Sequence, residues 1–197
     1  MNHDLWFRVI IAAMFIGFIA HRGYYNRRFP AQEGATLEKQ PVDLFSRIAV
    51  LLSLPAFLST LLYVIYPAWM TWAFFSLPLW ARFAGMFFAM AGFGLLQWSH
   101  TALGRNWSDQ PRIMQGQRLV VSGPYQWIRH PMYTSFLLIL GSTLLTSANW
   151  FIGILWILVT SLDAASRIHY EEAKLLNTFG NEYRSYQKRS GLLLPRF

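Results

Sequence analysis

The sequence predicts an all-α integral membrane protein with about five transmembrane helices, the last two forming a C-terminal hairpin. Three observations carry that reading. Of 197 residues, 54% are hydrophobic and 13% are charged, against about 45–50% and about 25% in soluble domains. The apolar residues gather into runs approaching the roughly 20 that a helix needs to cross a bilayer. Finally, the basic residues sort to one side of those runs. Of the 17 Lys and Arg, only Arg8 and Arg82 fall on the other side, the asymmetry expected between cytoplasmic and outer loops.

The first span, about 5–25, contains Arg8, and its apolar run from Leu5 to Ala20 is followed by Arg22, Arg27 and Arg28. A cleaved leader carries its basic residues before the apolar run, so this run is expected to remain as a span with its N-terminus outside. The second, about 44–66, contains Pro55, a position expected to kink it. Residues 67–78, rich in Trp and Phe, suit an aromatic belt at the outer interface. The third span, about 79–98, places Gly85, Ala89 and Gly92 along one face, a pattern for close helix packing. The fourth and fifth, about 131–146 and 150–166, are joined by the turn Ser147-Ala148-Asn149. The loop 99–130 and the tail 167–197 then lie on the cytoplasmic side, and residues 1–197 read as one domain. In the tail, Leu175, Leu176, Phe179, Tyr183 and Tyr186 recur at spacings of three or four. That predicts an amphipathic helix at the membrane surface, with Gly180 the point where it would be interrupted.

Composition also excludes chemistry. The chain has no cysteine, so disulfides, thiolate nucleophiles and cysteine-held metals are out. The five histidines lack metal-ligand spacing, and no dinucleotide or Walker glycine pattern occurs. No metal is expected. The net charge of +8 resides in membrane-flanking segments and reads as topology, so nucleic acid is not an expected partner.

The densest polar group is Gly123-Pro124-Tyr125-Gln126-Trp127-Ile128-Arg129-His130-Pro131-Met132-Tyr133. A turn, a cation, an imidazole and two phenols precede an apolar run, and Pro131 suits the first turn of a helix whose free N–H groups receive anions. A snorkelling basic pair is the plain structural alternative. A second group, Asp163, Arg167, Glu171 and Glu172, has its first three members four apart on one helix face. An exposed ion-pair ladder is the alternative there, but charges where a helix leaves lipid usually serve a site. Asn106, Trp107 and Gln110 lie in a loop, where polar residues need no explanation.

These blocks resemble the isoprenylcysteine carboxyl methyltransferases and their prokaryotic relatives, small integral membrane methyltransferases. The matching residues are Leu119-Val120, Gly123-Pro124-Tyr125 and Arg129-His130-Pro131-Met132-Tyr133. They continue with Arg167, Glu171-Glu172, Phe179-Gly180-Asn181-Glu182-Tyr183, Tyr186 and Pro195, and are preceded by Leu103-Gly104-Arg105-Asn106-Trp107-Ser108. The resemblance implies an S-adenosylmethionine-dependent enzyme with a cytoplasmic cofactor pocket. Carried onto matching positions, the implied cofactor contacts are Gln110, Gln117, Arg118, Leu119, Val120, Tyr125, His130, Pro131, Met132, Tyr133 and Glu171. Arg167 is implied to hold the substrate carboxylate, and Arg167 with Glu171 is the implied catalytic pair. The implied partners are membrane lipids and a lipophilic acceptor entering sideways from the bilayer. Gln117, Ser135 and Leu192 depart from the family pattern, where His, Gly and Arg are frequent. Three other readings stand beside this one. They are a methyltransferase acting on a phospholipid amine or a small thiol, an NADPH-dependent reductase of the sterol type, and a non-catalytic membrane scaffold or small transporter.

Overall fold

The computed structural model describes residues 3–29, 42–104 and 118–196. Their helices are α1 (His3–Arg28), α2 (Leu44–Ile65), α3 (Leu79–Leu103), α4 (Pro131–Gly141), α5 (Thr143–Ser147), α6 (Trp150–Phe179) and α7 (Asn181–Arg189). Short 3₁₀ turns span Pro67–Ala73 and Gly123–Gln126. Among the described residues, β pairing is limited to isolated bridges, Phe74 with Asn149 and Ile128 with Gly191. Helices α1, α2, α3 and α6 are each long and apolar enough to cross a membrane. Large side chains such as Ile16, Leu51, Trp80 and Phe87 lie exposed on them, where lipid tails cover apolar surface as well as protein does. The all-α membrane fold is as the sequence predicts.

The boundaries differ in informative ways. The third expected span stopped near 98, but α3 runs to Leu103 and stops at Gly104, whose φ is 52°. The fifth stopped near 166, but α6 continues unbroken to Phe179. Hydropathy marks where lipid ends, whereas the helix continues because Arg167, Glu171, Glu172, Ala173 and Lys174 are strong helix formers. Gly180, with φ 51°, ends α6 and opens α7, so the expected tail helix is two helices. The fourth span is also split. Ser142 Oγ donates to the Ile139 carbonyl and Thr143 Oγ1 to that of Leu140, both at 2.6 Å, a back-bonding that bends helices. Pro131–Ser147 is accordingly shorter than the other four apolar helices. Pro55 lies inside α2 without ending it.

Small residues set the packing. A Cβ on Gly85 would stand 2.5 Å from Thr146 Oγ1, and one on Gly92 would stand 2.7 Å from Ile139 Cγ1. The line of α4 and α5 therefore lies along α3, running back toward its start. Gly153 gives the same close approach of α6 to Leu144. The turn between α5 and α6 uses Ala148 at φ 51° and Asn149, whose Oδ1 caps α6 by accepting from Ile152 N–H at 3.1 Å. Buried Trp156 Nε1 donates to Thr60 Oγ1 at 2.9 Å, tying α6 to α2.

The two ends of the bundle are chemically distinct. At one, Arg82 donates to Asp4 at 2.8 Å and to the Thr146 carbonyl at 3.1 Å. Arg8 there covers the Val64 and Ile65 carbonyls at the end of α2, groups a helix leaves unsatisfied. At the other, Asp43 caps α2 through Ser46 N–H at 2.8 Å and accepts from Ser166 Oγ at 2.8 Å. That end also carries the 123–126 turn, the start of α4, the second half of α6, and α7.

Candidate active site at the mouth of α4

The backbone of the site depends on two glycines. Gly123 turns at φ 62°, and a Cβ there would press to 3.1 Å from Ala102 Cβ and 3.2 Å from Trp98 Nε1, so the turn seats against the end of α3. Downstream, residues 127–130 pair with the C-terminal chain. Arg129 N–H donates to the Gly191 carbonyl at 2.8 Å, His130 N–H to that of Leu192 at 3.1 Å, and Gly191 N–H to that of Trp127 at 2.9 Å. A Cβ on Gly191 would fall 1.9 Å from the Leu194 carbonyl oxygen, so this crossing demands glycine. Thr134 Oγ1 adds a bond to the Leu193 carbonyl at 2.7 Å. The chain after α7 is thereby strapped across the start of α4.

On this frame the polar side chains converge. The Tyr133 hydroxyl donates to Glu171 Oε1 at 2.5 Å. His130 lies between two carboxylates, Nδ1 3.4 Å from Glu171 Oε2 and Nε2 3.3 Å from Glu172 Oε1. Arg129 donates through Nε to Glu172 Oε1 at 2.7 Å, and through Nη1 to the carbonyls of Gln187 at 3.2 Å and Ser190 at 2.6 Å. Tyr183 donates to Glu172 Oε1 at 3.2 Å and Gln187 Nε2 to Glu172 Oε2 at 3.0 Å. The imidazole of His130 is buried. Burial alone pulls its pKa down, but the hydrogen bonds and charges of Glu171 and Glu172 outweigh it and the net shift is upward. Burial pushes the Tyr125 hydroxyl well above its ordinary range, and the Glu171 charge adds to the effect. Tyr125 is held by its carbonyl, which accepts from Tyr186 at 2.6 Å.

Arg167, one turn before Glu171 on α6, is half-buried and lies with its Nε 3.0 Å from both Asp163 oxygens. Its Nη groups make no hydrogen bond among the described residues. The fold therefore groups Tyr125, His130, Tyr133, Glu171 and Arg167. Pro131 is the buried first residue of α4, and Met132 packs half-buried against the core. Arg118 is exposed and Leu119 and Val120 are half-buried, in the chain before the turn. No hydrogen bond joins those three to the cluster among the described residues. Gln110 and Gln117, with Asn106 and Trp107, lie outside the described residues.

Three expectations change. The mouth of α4 does not offer its amides freely to an anion. Carbonyls of the tail already accept from the Arg129 and His130 amides, and among the described residues this leaves the Met132 N–H. Arg129 faces Glu172 and the tail rather than an open site. Glu172, for which an exposed ion-pair ladder was the alternative, has both oxygens committed to four side chains. The distance in sequence from Glu172 to Tyr183 and Gln187, across the break at Gly180, conceals that network. Two histidines far apart in sequence also meet, the rings of His21 and His100 lying 5.0 Å apart. Of the departures, Ser135 is buried and donates to the Pro131 carbonyl at 2.7 Å, whereas Leu192 serves through its backbone.

The profile of the isoprenylcysteine carboxyl methyltransferase (ICMT) family matches residues 83–177. Protein-S-isoprenylcysteine O-methyltransferase of Rattus norvegicus is 30% identical over 118 residues, 59% of this chain and 42% of that protein. The Schizosaccharomyces pombe protein of the same name is 36% identical over 80 residues, 39% of this chain and 34% of that protein. Methanethiol S-methyltransferase 1 of Bradyrhizobium diazoefficiens is 32% identical over 71 residues, 36% of this chain and 24% of that protein. The alignments thus span less than half the length of these relatives. A solved structure of the eukaryotic intramembrane Ras methyltransferase ICMT shares the fold with a TM-score of 0.56 at 23% identity, over 76% of this chain and 51% of that one. The chain is similar to the isoprenylcysteine carboxyl methyltransferases in sequence over residues 83–177, and it shares the fold of the solved structure over 76% of its length.

Proposed function

We propose that the chain is an S-adenosylmethionine-dependent methyltransferase of the membrane that methylates the carboxylate of a lipophilic acceptor. One observation carries the reading: Tyr133 and His130 converge on Glu171, one helical turn from an arginine whose Nη donors make no hydrogen bond among the described residues. The residues fit the cofactor's chemistry. Glu171 offers a carboxylate to its ammonium or hydroxyl groups, and the Met132 amide offers a donor to its carboxylate. The cofactor supplies an electrophilic methyl group on a sulfonium. Transfer of that methyl to a carboxylate oxygen would form one C–O bond, break one C–S bond and release a neutral thioether, so the residues here would have no proton to move. A carboxylate with a pKa near 4 is already ionised at neutral pH. The work left to the protein is alignment, which supplies about 7–11 kcal/mol when both reactants are held in attack geometry. The Nη groups of Arg167 orient the acceptor carboxylate by charge-assisted bonds.

The resemblance to a methanethiol S-methyltransferase favours a thiol acceptor as the second reading. An amine acceptor arrives protonated and needs a base. Glu172 does not serve, with both oxygens engaged, and His169 is exposed. The residues 1–197 act as one domain in this reading, with the N-terminus outside, the cofactor arriving from the cytoplasm and the acceptor from the bilayer.

The test is transfer of radiolabelled methyl from S-adenosylmethionine by the detergent-purified chain. The acceptors are N-acetyl-S-farnesylcysteine, an alkyl thiol and phosphatidylethanolamine. Base-labile label on the first supports the carboxylate reading, and base-stable label on the thiol moves the function to the second. A calorimetric titration with no binding of S-adenosylmethionine or its thioether product overturns both.

A further inference from the structure

We propose that Glu172 is a positioning residue that locks the candidate site by holding His130 and the C-terminal segment in one network. The inference deepens the methyltransferase reading and rests on it for its catalytic meaning. The geometry rests on Glu172 itself.

Glu172 stands where four segments meet. From its own place on α6 it takes Arg129 from the chain before α4, His130 from the mouth of α4, and Tyr183 and Gln187 from α7. Arg129 in turn gathers the Gln187 and Ser190 carbonyls. The carboxylate is therefore a node joining α6 to α7 across the break at Gly180, where φ 51° interrupts the helix and no continuous backbone ladder transmits rigidity. Its second consequence falls on His130. An imidazole flanked on both nitrogens by carboxylates donates on both, so Glu172 at Nε2 fixes the plane in which Nδ1 faces Glu171. Glu171 is also the acceptor of Tyr133. Orientation thus passes from Glu172 to His130, and from His130 to the carboxylate that faces the methyl donor. Glu172 itself, enclosed by donors, does not touch substrate.

The test reads His130 directly and needs no donor. The charged and titratable groups around that ring are Glu171 and Glu172 from α6, Tyr133 from α4, Tyr183 from α7 and the adjacent Arg129. In detergent-solubilised protein carrying ¹³C-labelled histidine, the His130 resonance is followed against pH in wild type, Glu172→Gln and Tyr183→Phe, with His130→Gln assigning the signal. Removing one carboxylate at hydrogen-bond distance should lower the His130 midpoint by roughly one pH unit or more. Tyr183→Phe, which keeps the charge and removes one restraint, should lower it less and guards against failure of the first variant to fold. The same variants are then titrated with the thioether product of S-adenosylmethionine. Weaker binding in Glu172→Gln, about tenfold or more, supports positioning. An unmoved His130 midpoint in both variants overturns the proposal whatever the donor does. A moved midpoint with wild-type donor affinity in both variants also overturns it, because the network would then be structural only. If wild type itself binds no donor, the methyltransferase reading fails and the positioning role falls with it, while the midpoint still reports the network.

Discussion

At the scale of single residues, Arg167 and Tyr133 are separable. Arg167 gives its Nε to Asp163, and its Nη groups make no hydrogen bond among the described residues, which suits the proposed role of meeting a second anion. Arg167→Ala should reduce methyl transfer about a hundredfold or more while donor affinity stays near wild type, because what is lost is acceptor alignment. Equal turnover in the variant would remove Arg167 from the reaction. Tyr133→Phe deletes a bond to Glu171, the carboxylate proposed to face the donor. A hydrogen bond to a charged group is worth about 1.5–3 kcal/mol, so donor binding in a calorimetric titration should weaken about tenfold to a hundredfold.

His130 makes the folded state pH-dependent in a definite direction. Its pKa is raised on folding, so the folded protein holds a proton that the unfolded chain gives up near pH ~6.5. The stabilisation from this group is fully present below that pH and is lost as pH rises through the higher folded value. Melting temperature measured from about pH 6 to about pH 9 should fall more steeply in wild type than in His130→Gln. Parallel curves would place the proton elsewhere.

Among elements, the interface of α3 with α4 and α5 is set by missing side chains. A Cβ on Gly92 would sit 2.7 Å from Ile139 Cγ1 and 3.1 Å from its backbone nitrogen, and backbone does not yield. Gly92→Leu should destabilise by about 1–3 kcal/mol or more, as overpacking does. Gly23→Ala on α1, with open space around it, should be neutral or slightly stabilising. Melting of the two variants in one detergent checks the contrast. Gly85, Ala89 and Gly92 announced this interface in sequence because small residues at helical spacing leave a visible stripe. The pairing of Tyr133 with Glu171 was legible through the resemblance of their two blocks. What stayed hidden was the Glu172 network. Its members are one glutamate, an arginine and a histidine 43 and 42 positions away, and two residues of α7 beyond a glycine break, linked by no period. Backbone carbonyls of the tail occupying the His130 amide leave no trace in side-chain pattern at all. Helix ends near lipid were equally invisible, since the end of an apolar run and the end of α6 are governed by different physics, hydration in one case and backbone propensity in the other.

The whole molecule has one end rich in aromatic residues and one rich in basic residues, and that asymmetry makes its orientation testable. Trp69, Trp72 and Trp150 gather at the first, with the Trp72 and Trp150 rings 5.6 Å apart, and Arg184, Lys188 and Arg189 lie exposed on α7 at the second. A surplus of Lys and Arg keeps a loop on the cytoplasmic side, so α7 is expected inside and the 67–73 turn outside. That outcome requires α4 and α5 together to cross. They run along α3, from Gly92 against Ile139 to Gly85 against Thr146, although at 1.5 Å per residue a path of about 17 residues is somewhat shorter than a bilayer core of about 30 Å. Local thinning or polar residues at the ends absorb such a mismatch at modest cost. The chain has no cysteine, so single replacements report cleanly. In bacterial cells expressing Trp69→Cys or Arg184→Cys, a membrane-impermeant maleimide should label the first from outside and the second only after the membrane is opened. Labelling of both from outside would mean that α4 and α5 turn back within the membrane. An even number of crossings would then put the two ends of the chain on one side, and the polar cluster around Glu171 would face a compartment with no supply of the methyl donor.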